Sequence, residues 1–328
     1  MSVVSVIIPN YNHGRYLEKR IHSVLDQTFQ DFEVIILDDA STDNSRDVIE
    51  HYRPHPKVAD IVYNDRNSGS TFKQWNRGVR MARGEYVWLA ESDDYADPGF
   101  LSVMVDVLDR HPNVGLAYCN SWHVDGPGKL GKQTSSNYNC VTGPHNGDWS
   151  ADLVLPGKEM IRRHLLKACT IFNASAVVFR KAAYIQAGGA NEGFRLAGDW
   201  DMYTRVLAQN DYAYVANPLN YHRSHEGTVR RHMANSVQEM WELSVLQHRL
   251  LHVVKVHPED GEVVTQCILK RVIELRIPRG SRWAALWCLA KVGCFMDPHI
   301  KGYWHAVAIR LIDSLRRFIC NIGGVKHM

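Results

Sequence analysis

The strongest constraint in this chain lies in its first 120 residues, where short β-rich runs alternate with helical patterns, the order that builds a parallel α/β sheet. Strands are expected at residues 3–8, 32–37, 58–63, 86–90 and 114–119. Between the first two, Leu17, Ile21, Val24 and Leu25 recur at helical spacing and give that segment one apolar face. Asp43 is placed to cap the next helix, and Asp97-Pro98 opens another with a capping carboxylate and a proline in the first turn. Farther on, residues 174–179 read as a strand followed by a short helix ending near Gly188-Gly189, and residues 201–208 read as a helix. Residues 121–157 are rich in Gly, Asn, Ser and Pro and lack a clear period, so a long loop over the functional face is expected there.

In open α/β sheets ligands sit beyond the carboxyl ends of the strands. Three polar clusters fall there: Pro9-Asn10-Tyr11-Asn12, Asp38-Asp39-Ala40-Ser41 and Glu91-Ser92-Asp93-Asp94. The last supplies three carboxylates in four residues, hard oxygen ligands suited to Mg²⁺ or Mn²⁺ beside a diphosphate. Asp38 and Asp39 either accept hydrogen bonds from a base or ribose, or cap the following helix. Tyr11 either stacks on a nucleobase or packs. No Gly-rich phosphate loop follows any strand, which sets aside a nucleotidyltransferase and a dehydrogenase.

Taken together, Ser5-Val-Ile-Ile-Pro-Asn-Tyr-Asn12, Leu37-Asp-Asp-Ala-Ser-Thr-Asp43 and Ala90-Glu-Ser-Asp-Asp94 resemble successive hallmarks of glycosyltransferase family 2, over about residues 2–229. The resemblance implies an α/β fold of the GT-A type, with a mostly parallel central sheet flanked by helices. It also implies inverting transfer of a sugar from a nucleotide diphosphate-sugar, UDP favoured, to a glycan or lipid-linked glycan acceptor in bacterial surface polysaccharide synthesis. A catalytically silent GT-A domain acting as a carbohydrate-binding or assembly subunit is the alternative, and the joint presence of Asp93, Asp199 and His225 argues against it.

By the same resemblance Pro9, Tyr11, Asn12, Asp38 and Asp39 line the base and ribose, and Asp93 is the main ligand of Mn²⁺ or Mg²⁺. Glu91 stands where the family usually has Asp, so with Ser92 it is assigned to the ribose or a water-mediated contact. Asn67-Ser-Gly69 and Trp75-Asn-Arg-Gly78 resemble the segment that brings a basic side chain to the nucleotide, leaving Lys73 and Arg77 as the two choices. Asp199-Trp200-Asp201 resembles the catalytic element, with Gly198 in place of its Glu. A sugar hydroxyl needs a carboxylate to take its proton as it attacks. Asp199 is the expected base, Asp201 the reserve, and Trp200 either stacks on the acceptor or packs under the helix. Tyr221-His-Arg-Ser-His225 resembles the family's Arg-x-His ending, with His225 a metal ligand and Arg223 facing the diphosphate.

The sequence divides into a catalytic domain at 1–230, with a nucleotide half to residue 120 and an acceptor half at 121–230, and a helical tail at 231–328. The net charge of +3 over 328 residues is too small to point to nucleic acid. That balance hides an asymmetry, because residues 262–328 carry eleven Lys/Arg against four Asp/Glu. In the tail Ile268, Val272 and Leu275 share a helical face beside Lys270, Arg271 and Arg276. Leu311, Ile312, Leu315, Phe318 and Ile319 likewise interleave with Arg316 and Arg317. Such faces lie at an anionic membrane surface, pack on the catalytic domain or form a homodimer contact. Seven cysteines without a Cys-x-x-Cys pair fit a reducing cytoplasm. With no signal-like start and no apolar stretch of about 20 residues, a cytoplasmic protein, at most peripheral on the membrane, is expected.

Overall fold

The computed structural model describes residues 2–137, 149–227 and 236–254. The chain divides into two compact units, Met1–His232 and Met233–Met328. The first opens with β1 (Val4–Asn10), α1 (Gly14–Leu25), β2 (Phe32–Asp38), α2 (Ser45–Tyr52), β3 (Val58–Tyr63), α3 (Thr71–Met81) and β4 (Tyr86–Leu89). It continues with β5 (Tyr95–Ala96), α4 (Phe100–Arg110), β6 (Val114–Asp125), β7 (Leu130–Gln133), β8 (Leu153–Leu155) and α5 (Gly157–Met160). After these come β9 (Val177–Arg180), α6 (Lys181–Gln186), α7 (Gly198–Leu207) and β10 (Asp211–Ser224).

The strands form one sheet in the order β3-β2-β1-β4-β9-β6-β10-β5, with β7 added beside β6 and β8 beside β10. β3, β2, β1 and β4 are parallel neighbours, β9 runs against both β4 and β6, and β10 is parallel to β6. β1 to β4, β6 and β10 therefore all point the same way, and their carboxyl ends share one edge. β1 and β2 are buried along their whole length, as strands covered by helices on both faces must be. Pro9 is tolerated in the central β1 because pairing with β4 stops at Ile7, so its missing N–H breaks no ladder bond on that side.

The helices follow the expected faces. Leu17, Ile21 and Val24 of α1 are buried, each worth roughly 1.5–3 kcal/mol of transfer free energy. α3 crosses β1 closely at Gly78, where a Cβ would meet Ile7 Cγ2 at 2.4 Å. Gly188 and Gly189, at φ of 82° and 70°, turn the chain after α6.

Two expectations change. Residues 121–157 are not one long loop: β6 continues to Asp125, β7 returns along it, and β8 pairs with β10. The polar pair Asn120-Ser121 hides the continuation, because both side chains are buried and hydrogen-bonded inside the sheet, Asn120 to Gln133, Ser135 and the Ala216 carbonyl. β10 runs for 14 residues although Pro218 interrupts its pattern, the register slipping on both sides of that proline. The strand expected at 174–179 begins as a 3₁₀ turn, Ala174–Ala176, before β9.

In the second unit the described element is α8 (Val237–Val253), whose cap Ser236 accepts a hydrogen bond from the Glu239 N–H at 3.1 Å. The basic and apolar faces read in the tail lie outside the described residues. Among the described residues no helix is long and apolar enough to cross a membrane.

Candidate active site

The shared carboxyl edge gathers the three polar clusters. At the end of β2 both carboxylates are buried and hold loops in shape. Asp38 accepts from Asn10 Nδ2 at 2.8 Å, Ser41 Oγ at 2.6 Å and Ser41 N at 3.0 Å. Asp39 accepts from Asn64 Nδ2 at 2.6 Å, Gln74 Nε2 at 2.9 Å, and Ser68 through both its N–H and its hydroxyl, at 2.9 and 2.7 Å. Neither caps the next helix. That helix's first N–H, on Ser45, goes instead to Asp43. Asn12 ties the β1 and β2 loops together, donating its N–H to Ser41 Oγ at 2.9 Å and accepting from Thr42 N at 2.7 Å. It sits at φ 56°, a left-handed conformation that Asn tolerates. Pro9 lies inside β1, and Tyr11 stands 44% exposed at the rim, its ring open to a partner.

Asn67 closes the turn before α3 by accepting from the Gly69 N–H, and Lys73 is exposed with Nζ 3.3 Å from the Ser68 carbonyl. Arg77 reaches Asn64, and through it Asp39, so it braces the β2 loop while Lys73 stands at its rim. Arg195, from the segment before α7, donates to the Gly69 carbonyl and links the two halves of the unit.

At the end of β4 the carboxylates crowd. Glu91 turns inward, accepting from the Trp75 indole N–H. Burial, with Asp93 nearby, pushes it up to about 8. Asp94 is buried and accepts from Arg223 N and Asn173 Nδ2, each at 2.8 Å. Asp93 Oδ2 faces His225 Nε2 at 3.0 Å. Burial acts to raise the Asp93 carboxyl, but the His225 hydrogen bond and the charges of His13, His225 and His222 outweigh it and hold Asp93 below the usual carboxylate range. Beneath them lies Arg20, fully buried, its Nε on the Glu91 carbonyl at 2.8 Å. Burial pulls this guanidinium down to about 10, against the attraction of Asp94, Asp93 and Glu91.

His13, Asp93 and His225 each offer a ligand atom, and the three atoms lie within 4.8 Å of one another. A cation about 2.1 Å from its ligands leaves cis ligands about 3 Å apart and trans ligands about 4.2 Å apart. The 3.0 Å Asp93–His225 separation matches the first, so these residues fit a six-coordinate divalent ion with small adjustment. Two imidazoles and one carboxylate are its chemistry.

Four residues with expected roles are held by the protein's own groups. Arg223, expected to face the diphosphate, is buried, and its Nε and Nη1 donate to the carbonyls of Asp93, Asp125 and Gly126 at 2.8, 3.0 and 2.9 Å. It clamps the turn between β6 and β7 onto the acidic turn. Ser92, assigned to the ribose, is buried and bonds His13 Nδ1 at 2.9 Å. Asp201, the reserve base, is 1% exposed and paired with Arg205 at 2.8 Å, whose guanidinium also holds the Ala187 and Gly189 carbonyls. Trp200, within α7 itself, is likewise buried. Asp199 differs: half-buried in the first turn of α7, it keeps a solvent-facing side while Oδ1 accepts from the Trp200 N–H at 2.7 Å. Both Asp199 and Glu91 act on the buried Tyr203 hydroxyl, which burial drives well above its usual range.

A family model, "Glycosyl transferase family 2", matches residues 5–170, half of the chain. The chain belongs to glycosyl transferase family 2. Over 222 residues it is 29% identical to a chondroitin synthase of Escherichia coli, a match spanning 67% of this chain and 29% of that protein. The chain thus corresponds to about a third of the length of the first such relatives. It superposes on Staphylococcus aureus TarS 1–349 in complex with UDP-GlcNAc with a TM-score of 0.69 at 19% identity, covering 92% of this chain and 83% of TarS 1–349. A mannosyltransferase of Pyrobaculum calidifontis in complex with GDP-Man and Mn²⁺ gives 0.55 at 19% identity, covering 96% and 82%. At these identities the likeness carries the fold, which is GT-A.

Two members of this family 2 site were not foreseen from the sequence. Arg20 occupies the apolar face of α1, at the same spacing as Leu17, Ile21 and Val24, and a charge there signals a buried partner. His13 gave no signal of its own, since a single histidine among seventeen carries none.

Proposed function

We propose that this family 2 glycosyltransferase moves a sugar from a UDP-sugar to an acceptor hydroxyl with inversion at the anomeric carbon. The observation carrying this reading is the contrast between Asp199 and every other carboxylate of the site. Asp199 lies half-buried in the first turn of α7 with a side toward solvent, whereas Asp201, two residues on, is buried against Arg205, and Glu91, Asp93 and Asp94 crowd the acidic turn. Its carboxylate takes the proton of the acceptor hydroxyl as that oxygen attacks the anomeric carbon, while the bond from that carbon to the diphosphate oxygen breaks and the nucleoside diphosphate departs. Asp93 and His225 would hold a divalent cation, which when bound neutralises charge growing on the leaving diphosphate. The β2-end loop, shaped by Asp38 and Asp39, receives the base and ribose, with Tyr11 stacking on the base and Lys73 at the nucleotide's edge.

The UDP-GlcNAc complex of TarS supports a UDP-sugar donor, and the chondroitin synthase relative supports polysaccharide assembly as the setting. A lipid-linked acceptor would suit the basic tail expected at a membrane surface. The test is nucleoside diphosphate release from a panel of UDP-, GDP- and dTDP-sugars with glycan and lipid-linked acceptors. The expected result is acceptor-dependent release from a UDP-sugar, cut about 10²–10⁴-fold in Asp199→Asn. Near-normal turnover in that variant would remove Asp199 as the base, and release from none of the donors would remove the transfer reading.

A further inference from the structure

His13 holds the cap position of α1, yet its side chain makes no capping hydrogen bond. Asn, Asp, Ser and Thr are the residues that serve there. The work of capping has passed to Asp43, whose Oδ2 accepts from the Gly14 N–H at 2.8 Å. The His13 ring is thereby released from its own helix and turns to the acidic turn after β4. Its Nδ1 lies 2.9 Å from Ser92 Oγ, and Ser92 is almost fully buried. A serine hydroxyl oxygen can accept a hydrogen bond from Nδ1–H, which leaves the Nε2 lone pair free for a metal ion. The ring stands edge-on to that of His225, centroids 5.3 Å apart, with both rings contributing to the group closed by Asp93.

This is how metal-binding histidines are built: one ring nitrogen on the ion, the other fixed by a hydrogen bond that sets tautomer and orientation. Resting on the metal-assisted reading above, we infer that His13 is a third protein ligand of the cation through Nε2, with Ser92 as the residue that orients it. The middle residue of Glu91-Ser92-Asp93 therefore serves the metal indirectly, through a histidine 79 positions earlier in the chain. The donor set has a consequence for metal choice. Mg²⁺ demands oxygen ligands and gives up water reluctantly, whereas imidazole nitrogen suits first-row transition ions. Two imidazoles beside one carboxylate make the site select Mn²⁺ over Mg²⁺.

The test is Mn²⁺ binding to the full chain, with and without UDP, followed by electron spin-echo spectroscopy that reads ¹⁴N nuclei coupled to the ion. Wild-type protein should show two imidazole nitrogens and His13→Ala one, with Mn²⁺ affinity reduced about 10–100-fold and Mg²⁺ affinity little changed. Ser92→Ala should keep both nitrogens but weaken Mn²⁺ binding about tenfold, and it carries the test if His13→Ala does not fold. A wild-type spectrum with one nitrogen, lost in His225→Ala and kept in His13→Ala, would overturn the inference and leave the transferase reading standing. No nitrogen coupling in any form of the protein would overturn the role of His13 and of His225 together.

Discussion

Both ends of the parallel strands bury carboxylates, and the two ends treat them differently. At the amino end Glu33 of β2 is matched on every side: Ser5 Oγ donates to Oε1 at 2.7 Å, and Arg83 adds its N–H at 2.8 Å and its Nε at 2.7 Å. Burial acts to raise this carboxyl, but the hydrogen bonds from Ser5 and Arg83 outweigh it and set it below its ordinary range. At the carboxyl end Glu91, Asp93 and Asp94 lie within four residues, and the result is a split. Glu91 is driven up to about 8 while Asp93 is held down by histidines. The amino end is a solved electrostatic problem that ties β1, β2 and the start of β4 together. At the carboxyl end a raised carboxyl stands beside a lowered one, and the divalent cation proposed among Asp93, His13 and His225 would add the positive charge that balances them. Such local conflict with the rest of a well-matched fold is where function is expected.

Breaking the comparison at its functional end has the largest expected effect. Asp93→Asn removes one crowded charge and keeps an oxygen for His225, so the melting temperature should stay within about 2 °C of wild type. Metal-stimulated nucleotide release should fall about a thousandfold, roughly 4 kcal/mol of barrier. Melting curves and turnover on the same preparations separate the two, and wild-type Mn²⁺ dependence in the variant would remove the metal role.

The smaller effect lies at the amino end, where Glu33→Gln should leave turnover within about twofold and cost about 1–2 kcal/mol of stability at pH 7, Arg83 being largely exposed. The folded-state pKa lies below the unfolded one, so this stabilisation is present above about pH 4.5 and is lost as pH falls through the folded value. Denaturation of both proteins at pH 7 and at pH 3 checks the sign. A difference as large at pH 3 as at pH 7 would mean that packing, and not ionisation, sets the contribution.

The parallel half of the sheet was legible because its strands are continuous apolar runs between amphipathic helices, and the turns after β1, β2 and β4 could be located from them. What escaped was polar and distant. β6 runs past the buried Asn120-Ser121 pair, and β10 runs through Pro218, so neither shows a clean period. Among the candidate site residues, Asp38, Asp39 and Asp93 stood out because carboxylates cluster in sequence. The difference between Asp199 and Asp201 did not, although they sit two residues apart: α7 turns one toward the surface and the other onto Arg205, one helical turn away. His13 and Arg20 reach the acidic turn across more than 70 residues of chain. Only the fold of α1 over the end of β4 brings them there.

The most direct test of the central claim is the configuration of the product. With Asp199 as the proposed base, the account requires a single displacement. Proton NMR of the anomeric signal, taken early in turnover with an α-linked UDP-sugar, should show a β-linked product. An α-linked product would mean that the configuration is retained and would contradict the account.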